Sequence, residues 1–289
     1  MKKWVVRTGL TVGGIFAVIG IAFTAVFIAM QFGLLNVKGS IAERNSFFVG
    51  GKSGTATDST PTPPAQPCTV VGTQVCAWYE TPEWVVVAGG LTKDSTVLAK
   101  VSGETGVSPR LIASVVVPEQ IRFFTSEREI FKKYFEPLKI LGSLSQFSLG
   151  VSGIKQETAN QIEAYANDPS SPFYPGDSYK ALIAYKPGAQ HDQELYSRLT
   201  DAKNHYYSYL YTAIYLKEIE MQWSRAGFPV DQKPEVLGTL FNIGFKASVP
   251  KADPQTAGAT ITTGGKQYVF GQLGADFYNS LELRTVFPL

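Results

Sequence analysis

The first strong pattern along the chain is an uninterrupted apolar run near the N-terminus. Lys2, Lys3 and Arg7 precede this run, residues 8–37 contain no charged side chain, and the next charge is Lys38. About 20 apolar residues cross the hydrocarbon core of a bilayer as a helix, and a helix satisfies its own backbone hydrogen bonds there. A cleaved signal peptide has a shorter apolar core, of roughly 7–15 residues, and a small-residue cleavage site. We therefore predict an uncleaved transmembrane anchor.

The charges beside this anchor predict its orientation. Lys and Arg normally stay on the cytoplasmic side of a membrane, so we expect a single-pass protein with its N-terminus inside and its domain on the periplasmic or cell-wall side. Residues 50–66 are rich in Gly, Ser, Thr and Pro, a composition typical of a flexible linker. The predicted organisation is an anchor over residues 1–38, a juxtamembrane segment and linker over residues 39–66, and one extracytoplasmic domain over residues 67–289.

Beyond the linker, the apolar positions mostly follow helical spacing. Ser108 can cap free N–H groups and Pro109 suits the first position of a helix, whereas Pro118 predicts a kink or an early end nearby. Further helical patterns cover residues 93–101, 126–141, 192–225, 233–243 and 272–280. The Gly- and Thr-rich residues 258–265 predict a short hairpin or a loop. The expected fold class is therefore mainly α, with minor β hairpins.

Composition excludes some function classes and leaves others open. The chain has 289 residues and a net charge of +2, without a basic stripe, which gives no argument for nucleic acid as a partner. Cys68 and Cys76 are expected to form a short local disulfide in an exported domain, with two reduced thiols as the alternative. His191 and His205 have no partners at metal-ligand spacing, and we interpret both as ordinary surface or groove residues. No metal and no cofactor are predicted.

Glu119 is the strongest candidate for chemistry. It follows Val115, Val116, Val117 and Pro118 on an apolar helical segment. Desolvation raises the pKa of a carboxyl group, and a raised pKa is what a general acid needs near neutral pH. The alternative is a structural ion pair with Arg122 or Arg110.

The residues around Glu119 resemble the catalytic-glutamate helix of soluble lytic transglycosylases, v-d-p-x-L-I-x-A-v-x-x-x-E-S. The matching positions are Val107, Ser108, Pro109, Leu111, Ile112, Val115 and Glu119. Downstream, SLGVSGIKQETA is similar to the second block of the family, G-L-M-Q-I-x-P-x-T-A, with Gly150, Ile154, Thr158 and Ala159 in register. LGTLFNIG is similar to the third block, A-x-A-Y-N-A-G, with Phe241, Asn242 and Gly244 in register. The three blocks span residues 107–244 in the family order.

The resemblance implies a lysozyme-like α domain that cleaves peptidoglycan between N-acetylmuramic acid and N-acetylglucosamine and leaves 1,6-anhydro ends. It implies Glu119 as the single catalytic carboxyl group, in the manner of the substrate-assisted exceptions to the two-carboxylate rule. The substrate-binding residues it implies, together with one tyrosine expected to stack on a sugar ring, are Gln120, Ser148, Gly150, Ser152, Gly153, Ile154, Phe241, Asn242 and Tyr207. Of the neighbouring tyrosines 206, 207, 209 and 211, we expect at least two to serve helix packing, because four so close together cannot share one face.

Three positions depart from the family pattern. Gln120 replaces the serine after the catalytic glutamate, Gly153 replaces the glutamine of the second block, and Phe241 replaces a tyrosine whose hydroxyl commonly contacts the catalytic carboxyl or the sugar. Two alternatives to the transglycosylase therefore stay open. One is a wall-binding or scaffold module of the cell envelope with little catalysis. The other is a two-carboxylate hydrolase, with Glu127, Glu129 and Glu136 as the nearest second carboxylates in sequence.

The predicted anchor and linker would act as a tether. They would restrict the domain to glycan strands near the membrane, which favours controlled local cutting, with an export or division machine as a possible partner.

Overall fold

The computed structural model describes residues 77–125, 148–201 and 203–289, and this part of the chain is mainly helical, as predicted. It holds nine α-helices and two antiparallel β hairpins. The helices are α1 Pro82–Lys93, α2 Ser95–Thr105, α3 Pro109–Thr125, α4 Gln156–Asn167, α5 Asp177–Leu182, α6 His191–Thr200, α7 Tyr206–Arg225, α8 Pro234–Ile243 and α9 Phe270–Asn279. The strands are β1 Ser148–Leu149, β2 Ile154–Lys155, β3 Thr260–Thr263 and β4 Lys266–Val269. A 3₁₀ turn, Phe245–Ala247, follows α8.

Several predictions fall outside the described residues. They are the anchor, the linker, the pairing of Cys68 with Cys76, the helical pattern over residues 126–141 and the three glutamates considered for a hydrolase. Of the helices in the described ranges, none combines the length and the apolar character needed to cross a bilayer.

Helix α3 begins as its sequence predicts. The Ser108 hydroxyl accepts the backbone N–H of Leu111 at 3.1 Å, and Pro109 is the first helical residue. The helix does not end at Pro118 but continues to Thr125. Pro118 lacks the N–H that would bond the Ser114 carbonyl. Helix α9 lies close to this carbonyl, as a Cβ built on Gly274 would be 2.4 Å from the Ser114 oxygen. The proline therefore removes one helical bond where the backbone of α9 comes closest.

The long helical pattern over residues 192–225 is two helices, α6 and α7, which corrects the prediction of one. Asp201 ends the first of them, since its carboxylate accepts the backbone N–H groups of Lys203 and Asn204 at 2.8 and 3.1 Å. Such short side-chain bonds compete with helix continuation.

The Gly-rich tail forms a hairpin. Strands β3 and β4 pair from Thr260 with Val269 to Thr263 with Lys266. Gly264 and Gly265 join the strands with φ values of 56° and 73°, the left-handed pair that a tight hairpin turn requires. A Cβ on Gly264 would also lie 2.1 Å from the Ala77 oxygen, so this turn lies directly against the start of the described domain.

The core lies around α3, α7, α8 and α9. Fully buried aromatic side chains fill it, among them Trp78, Trp223, Phe270 and Phe277. Arg110 is also fully buried, and its guanidinium donates five hydrogen bonds of 2.6–3.0 Å to backbone carbonyls at and beyond the C-terminus of α9. Burial is the main reason that the pKa of Arg110 is lowered to about 10. The C-terminal residues are thereby fixed to α3, the helix that carries Glu119.

Candidate functional site

Glu119 lies on α3 in apolar surroundings, as its neighbours predict. The residue is 6 % exposed, and Val115, Val116 and Val117 on the same helix are buried. Its carboxylate accepts from Nη2 of Arg122, one turn further along, at 2.8 Å to Oε1 and 2.7 Å to Oε2. Of the two ion-pair partners considered from the sequence, the structure selects Arg122, because Arg110 binds the carbonyls beyond α9. The carboxyl group is both poorly solvated and paired with a cation.

The loop between β1 and β2 meets this carboxyl group directly. Gly153 has a φ of 63°, and a Cβ built on it would lie 2.2 Å from Oε1, 2.5 Å from Cδ and 2.7 Å from Cγ of Glu119. Only a residue without a side chain fits there, both for its left-handed backbone and for the missing space. The position at which the family pattern has a glutamine is therefore a glycine in contact with the candidate catalytic group.

The same loop is also fixed by contacts with α6 and α7. Gly150, also at φ 63°, lies against both helices, since a Cβ there would be 2.1 Å from the Leu199 oxygen on α6 and 2.8 Å from Oγ of Ser208 on α7. Ser152 is fully buried; its N–H donates to Ser208 Oγ and its hydroxyl to the Ser208 carbonyl, both at 3.3 Å. Ile154 is buried as well and pairs with Leu149. The side chains of Ser152 and Ile154 thus support the loop, and what they leave for a ligand is the loop backbone.

Gln120 ties α3 to this loop. Its side-chain Nε2 donates to the Val151 carbonyl at 2.5 Å. Ser148, another predicted ligand contact, pairs with Lys155 where the hairpin begins. The first and second sequence blocks are therefore joined at two points, through Gln120 and through Gly153.

The third block packs beside the Gly-rich tail. The ring of Phe241, 9 % exposed, lies 5.1 Å from the Tyr215 ring and 6.3 Å from the Phe270 ring. Asn242 is partly exposed, and its Oδ1 accepts the backbone N–H of Ala259 at 2.8 Å. This bond orients the Asn242 amide, so that its NH₂ group is the part that can meet a ligand.

The tyrosines at the start of α7 divide as expected. Tyr209 and Tyr211 are buried and donate to Asp94 and Glu163, which confirms that at least two of the four serve packing. Tyr206 donates to Glu104 at 2.7 Å. Tyr207 is half-buried, with the Arg198 guanidinium 4.5 Å from its ring centre. One face of Tyr207 is therefore already covered by a cation, and a sugar would have to use the other.

A polar network that the sequence did not reveal surrounds Glu163 on α4. Its carboxylate accepts from the hydroxyls of Tyr185 and Tyr211 and contacts Nε2 of His191 at 2.6 Å. Nδ1 of His191 faces Asp192 at 2.9 Å. Both ring nitrogens of His191 thus face carboxylates, and the bond to Glu163 is the main reason that the pKa of His191 is raised.

His205 is paired in a similar way, through Nδ1 to Asp94 at 2.5 Å. Both histidines are partly exposed, as expected, but each contacts a carboxylate at another part of the fold. The described ranges contain no group of three or more His, Cys, Asp or Glu side chains placed to hold a metal ion.

Glu218 on α7 is a second buried carboxyl group that sequence reasoning missed. It is 0 % exposed, and neither of its side-chain oxygens has a hydrogen-bond partner among the residues that the structure describes. Burial raises the pKa of Glu218 well above its ordinary value. The pKa of Tyr165 is raised mainly by its own burial and further by Glu218. A signal was present in the sequence, because Glu218 falls at helical spacing from the buried positions Tyr211, Ile214 and Tyr215.

No protein-family model matches this chain, and no curated protein or solved structure is significantly similar to it.

Proposed function

We propose that this chain is a membrane-anchored peptidoglycan lytic transglycosylase with a lysozyme-like α domain, in which Glu119 is the single catalytic carboxyl group. The observation that carries the proposal is the contact between Gly153 and the Glu119 carboxyl group. Glu119 and Gly153 belong to two separate sequence blocks, and each block resembles part of one catalytic site. Their meeting at the glutamate is the arrangement that such a site requires.

In the proposed reaction, protonated Glu119 donates its proton to the glycosidic oxygen as the bond from that oxygen to C1 of N-acetylmuramic acid breaks. The N-acetyl carbonyl oxygen of the same sugar stabilises the cation that develops at C1. The carboxylate then removes the proton from the C6 hydroxyl, and O6 forms the new bond to C1. The proton is thus returned to Glu119, no water is consumed, and the product carries a 1,6-anhydro ring.

The surrounding residues would position the glycan. Backbone N–H and C=O groups of residues 150–153 would meet sugar hydroxyls on one wall, since Ser152 and Gln120 hold this loop in place. The NH₂ group of Asn242 would bind the N-acetyl oxygen. Phe241 supplies a ring but no hydroxyl. The loop backbone and Asn242 would therefore orient Glu119 and the sugar without a tyrosine at that position.

A second candidate function is a non-catalytic peptidoglycan-binding or scaffold module. The ion pair between Glu119 and Arg122 favours it, because the guanidinium contacts both carboxylate oxygens, as in an ion pair that serves the structure alone. The two candidates differ in what happens to a bound strand.

A binding and release experiment separates them. Full-length protein in detergent is mixed with purified peptidoglycan, and both co-sedimentation and soluble muropeptides are measured for the wild type, Glu119→Gln and Glu157→Gln. Glu157 is an exposed glutamate paired with Lys246 and serves as the matched control. If the chain is a transglycosylase, we expect 1,6-anhydro products from the wild type and the control and none from Glu119→Gln, and all three proteins should bind. Binding by the wild type without release supports the scaffold, and reducing ends would indicate the hydrolase.

We further propose that the anchor makes this cutting local. A domain tethered through the predicted juxtamembrane segment and linker, residues 39–66, reaches only glycan strands near the membrane, since the end-to-end distance of a flexible chain grows with the square root of its length. An envelope export or division machine is the kind of partner that needs such local openings. If a protease site placed in residues 50–66 frees the domain in cells and the sites of wall cleavage do not change, the tether has no such role.

A further inference from the structure

The proposed site contains a contact that the proposed reaction has to break. Nη2 of Arg122 lies between the two carboxylate oxygens of Glu119, 2.8 Å from one and 2.7 Å from the other. A nearby cation stabilises the ionised form of a carboxyl group, whereas a general acid must hold a proton on one of these oxygens. While this contact persists, Glu119 cannot pass a proton to a glycosidic oxygen.

The position of Arg122 shows from which side the contact can be opened. The Arg122 side chain is 21 % exposed and that of Glu119 is 8 % exposed, so the guanidinium is the outer member of the pair. On another side the backbone of Gly153 closes against Oε1. A ligand that approaches from solvent therefore meets the cation before it meets the carboxyl group.

We propose that Arg122 gates Glu119, and that a carboxylate of an anionic glycan strand opens this gate by drawing the guanidinium to itself. The inference rests on the proposed function and names its substrate class, strands with carboxylates close to the scissile bond. Guanidinium groups bind carboxylates well, and exchanging one carboxylate partner for another keeps the cation paired. Glu119 is then released from the guanidinium, and its two oxygens are open to the proton that the proposed reaction needs.

Peptidoglycan offers two sources of such a carboxylate. One is the lactyl group of muramic acid when it carries no peptide, and the other is the peptide when it is attached. The test compares glycan strands without peptides, which have free lactyl carboxylates, with strands that retain their peptides. Each is also prepared with its carboxylates converted to amides. Initial rates of anhydro-end formation over a range of strand concentrations give kcat and KM for the full-length protein in detergent.

The gate predicts that the wild type cleaves carboxylate strands at least about tenfold faster, in kcat/KM, than their amidated forms. A tenfold change corresponds to about 1.4 kcal/mol, which is no more than one hydrogen bond to a charged group contributes. Arg122→Gln should cleave both forms at similar rates, and Arg122→Lys, which keeps the charge, should retain part of the preference. Arg225→Gln is the matched control. Among the described residues, the hydrogen bonds of Arg225 go to the carbonyls of Ser171, Pro172 and Tyr174, so this variant should keep the full preference.

The outcomes separate the gate from the proposed function. The pair of strands that shows the preference identifies which carboxylate opens the gate. Equal cleavage of charged and amidated strands by the wild type, or an unchanged preference in Arg122→Gln, overturns the gate and leaves the transglycosylase in place. If the wild type cleaves neither kind of strand, the proposed function fails and the gate fails with it.

Discussion

The contact between Gly153 and Glu119 makes a quantitative prediction about stability. In Gly153→Ala the new Cβ would lie within 2.2–2.7 Å of three atoms of Glu119, so the carboxyl group must move by about 1 Å to reach ordinary contact distance. The left-handed backbone of residue 153 adds a cost of roughly 1–2 kcal/mol for any residue with a Cβ. Moving the carboxyl group also weakens its bonds to Arg122, which adds about 1–2 kcal/mol after allowance for the exposure of the guanidinium.

A matched control isolates the contact from the backbone cost. Gly106 has a similar φ of 70°, and nothing lies within 4 Å of a Cβ built there. Gly106→Ala should therefore cost only the backbone part, roughly 1–2 kcal/mol, whereas Gly153→Ala should cost about 2–4 kcal/mol. In a Glu119→Ala background the three clashing atoms are gone, and Gly153→Ala should then cost no more than the control.

Urea unfolding of the full-length protein in detergent measures these differences. Trp78, Trp84 and Trp223 are buried and report the loss of the fold by fluorescence. The expected coupling free energy between residues 119 and 153 is about 1–2 kcal/mol. Equal costs for the two alanine variants, or an equal cost of Gly153→Ala with and without the Glu119 side chain, would refute the contact on which the site is built.

Three further predictions concern charged or titratable side chains. Arg110→Met should destabilise the fold by about 3–5 kcal/mol, because it leaves buried carbonyls without donors, and Arg225→Met, which loses three partly exposed bonds, should cost much less in the same urea assay. The pKa of His191 is raised above 6.5, so its contribution is complete below that pH and is lost as the pH rises through the folded value. His191→Gln should remove this part of the dependence of the unfolding midpoint on pH. The pKa of Glu218 is raised well above 4.5, so the contribution of Glu218 to stability should fall as the pH rises from 4.5. Glu218→Gln should therefore be more stable than the wild type at pH 8 but not at pH 4, and equal pH profiles for the two proteins would contradict this.

The helices that sequence predicted correctly have strong local signals. Ser108 and Pro109 mark the start of α3, and the apolar residues before Glu119 predict its burial. Residues 258–265 predicted a short hairpin or a loop, and the structure has a hairpin, because Gly264 and Gly265 form its tight turn. Where a local signal was weak, as at Asp201, two helices were taken for one.

The candidate site was predictable only in part, because its contacts join distant residues. The sequence marked Glu119 and the glycines of residues 150–153 separately, but only the fold shows that Gly153 touches the carboxyl group. Ser208, which holds the loop, has no motif around it, since its role depends on how α7 meets Ser152. The choice of Arg122 over Arg110 also required the fold, because both are arginines near Glu119 in sequence and only their partners differ.

The most direct test of Glu119 as a transglycosylase carboxyl group is digestion of peptidoglycan in H₂¹⁸O, followed by mass spectrometry of the released ends. A reaction that uses the C6 hydroxyl in place of water gives 1,6-anhydro ends without ¹⁸O, and we expect these from the wild type and none from Glu119→Gln. Reducing ends that carry ¹⁸O, or anhydro ends released equally by both proteins, would contradict the assignment.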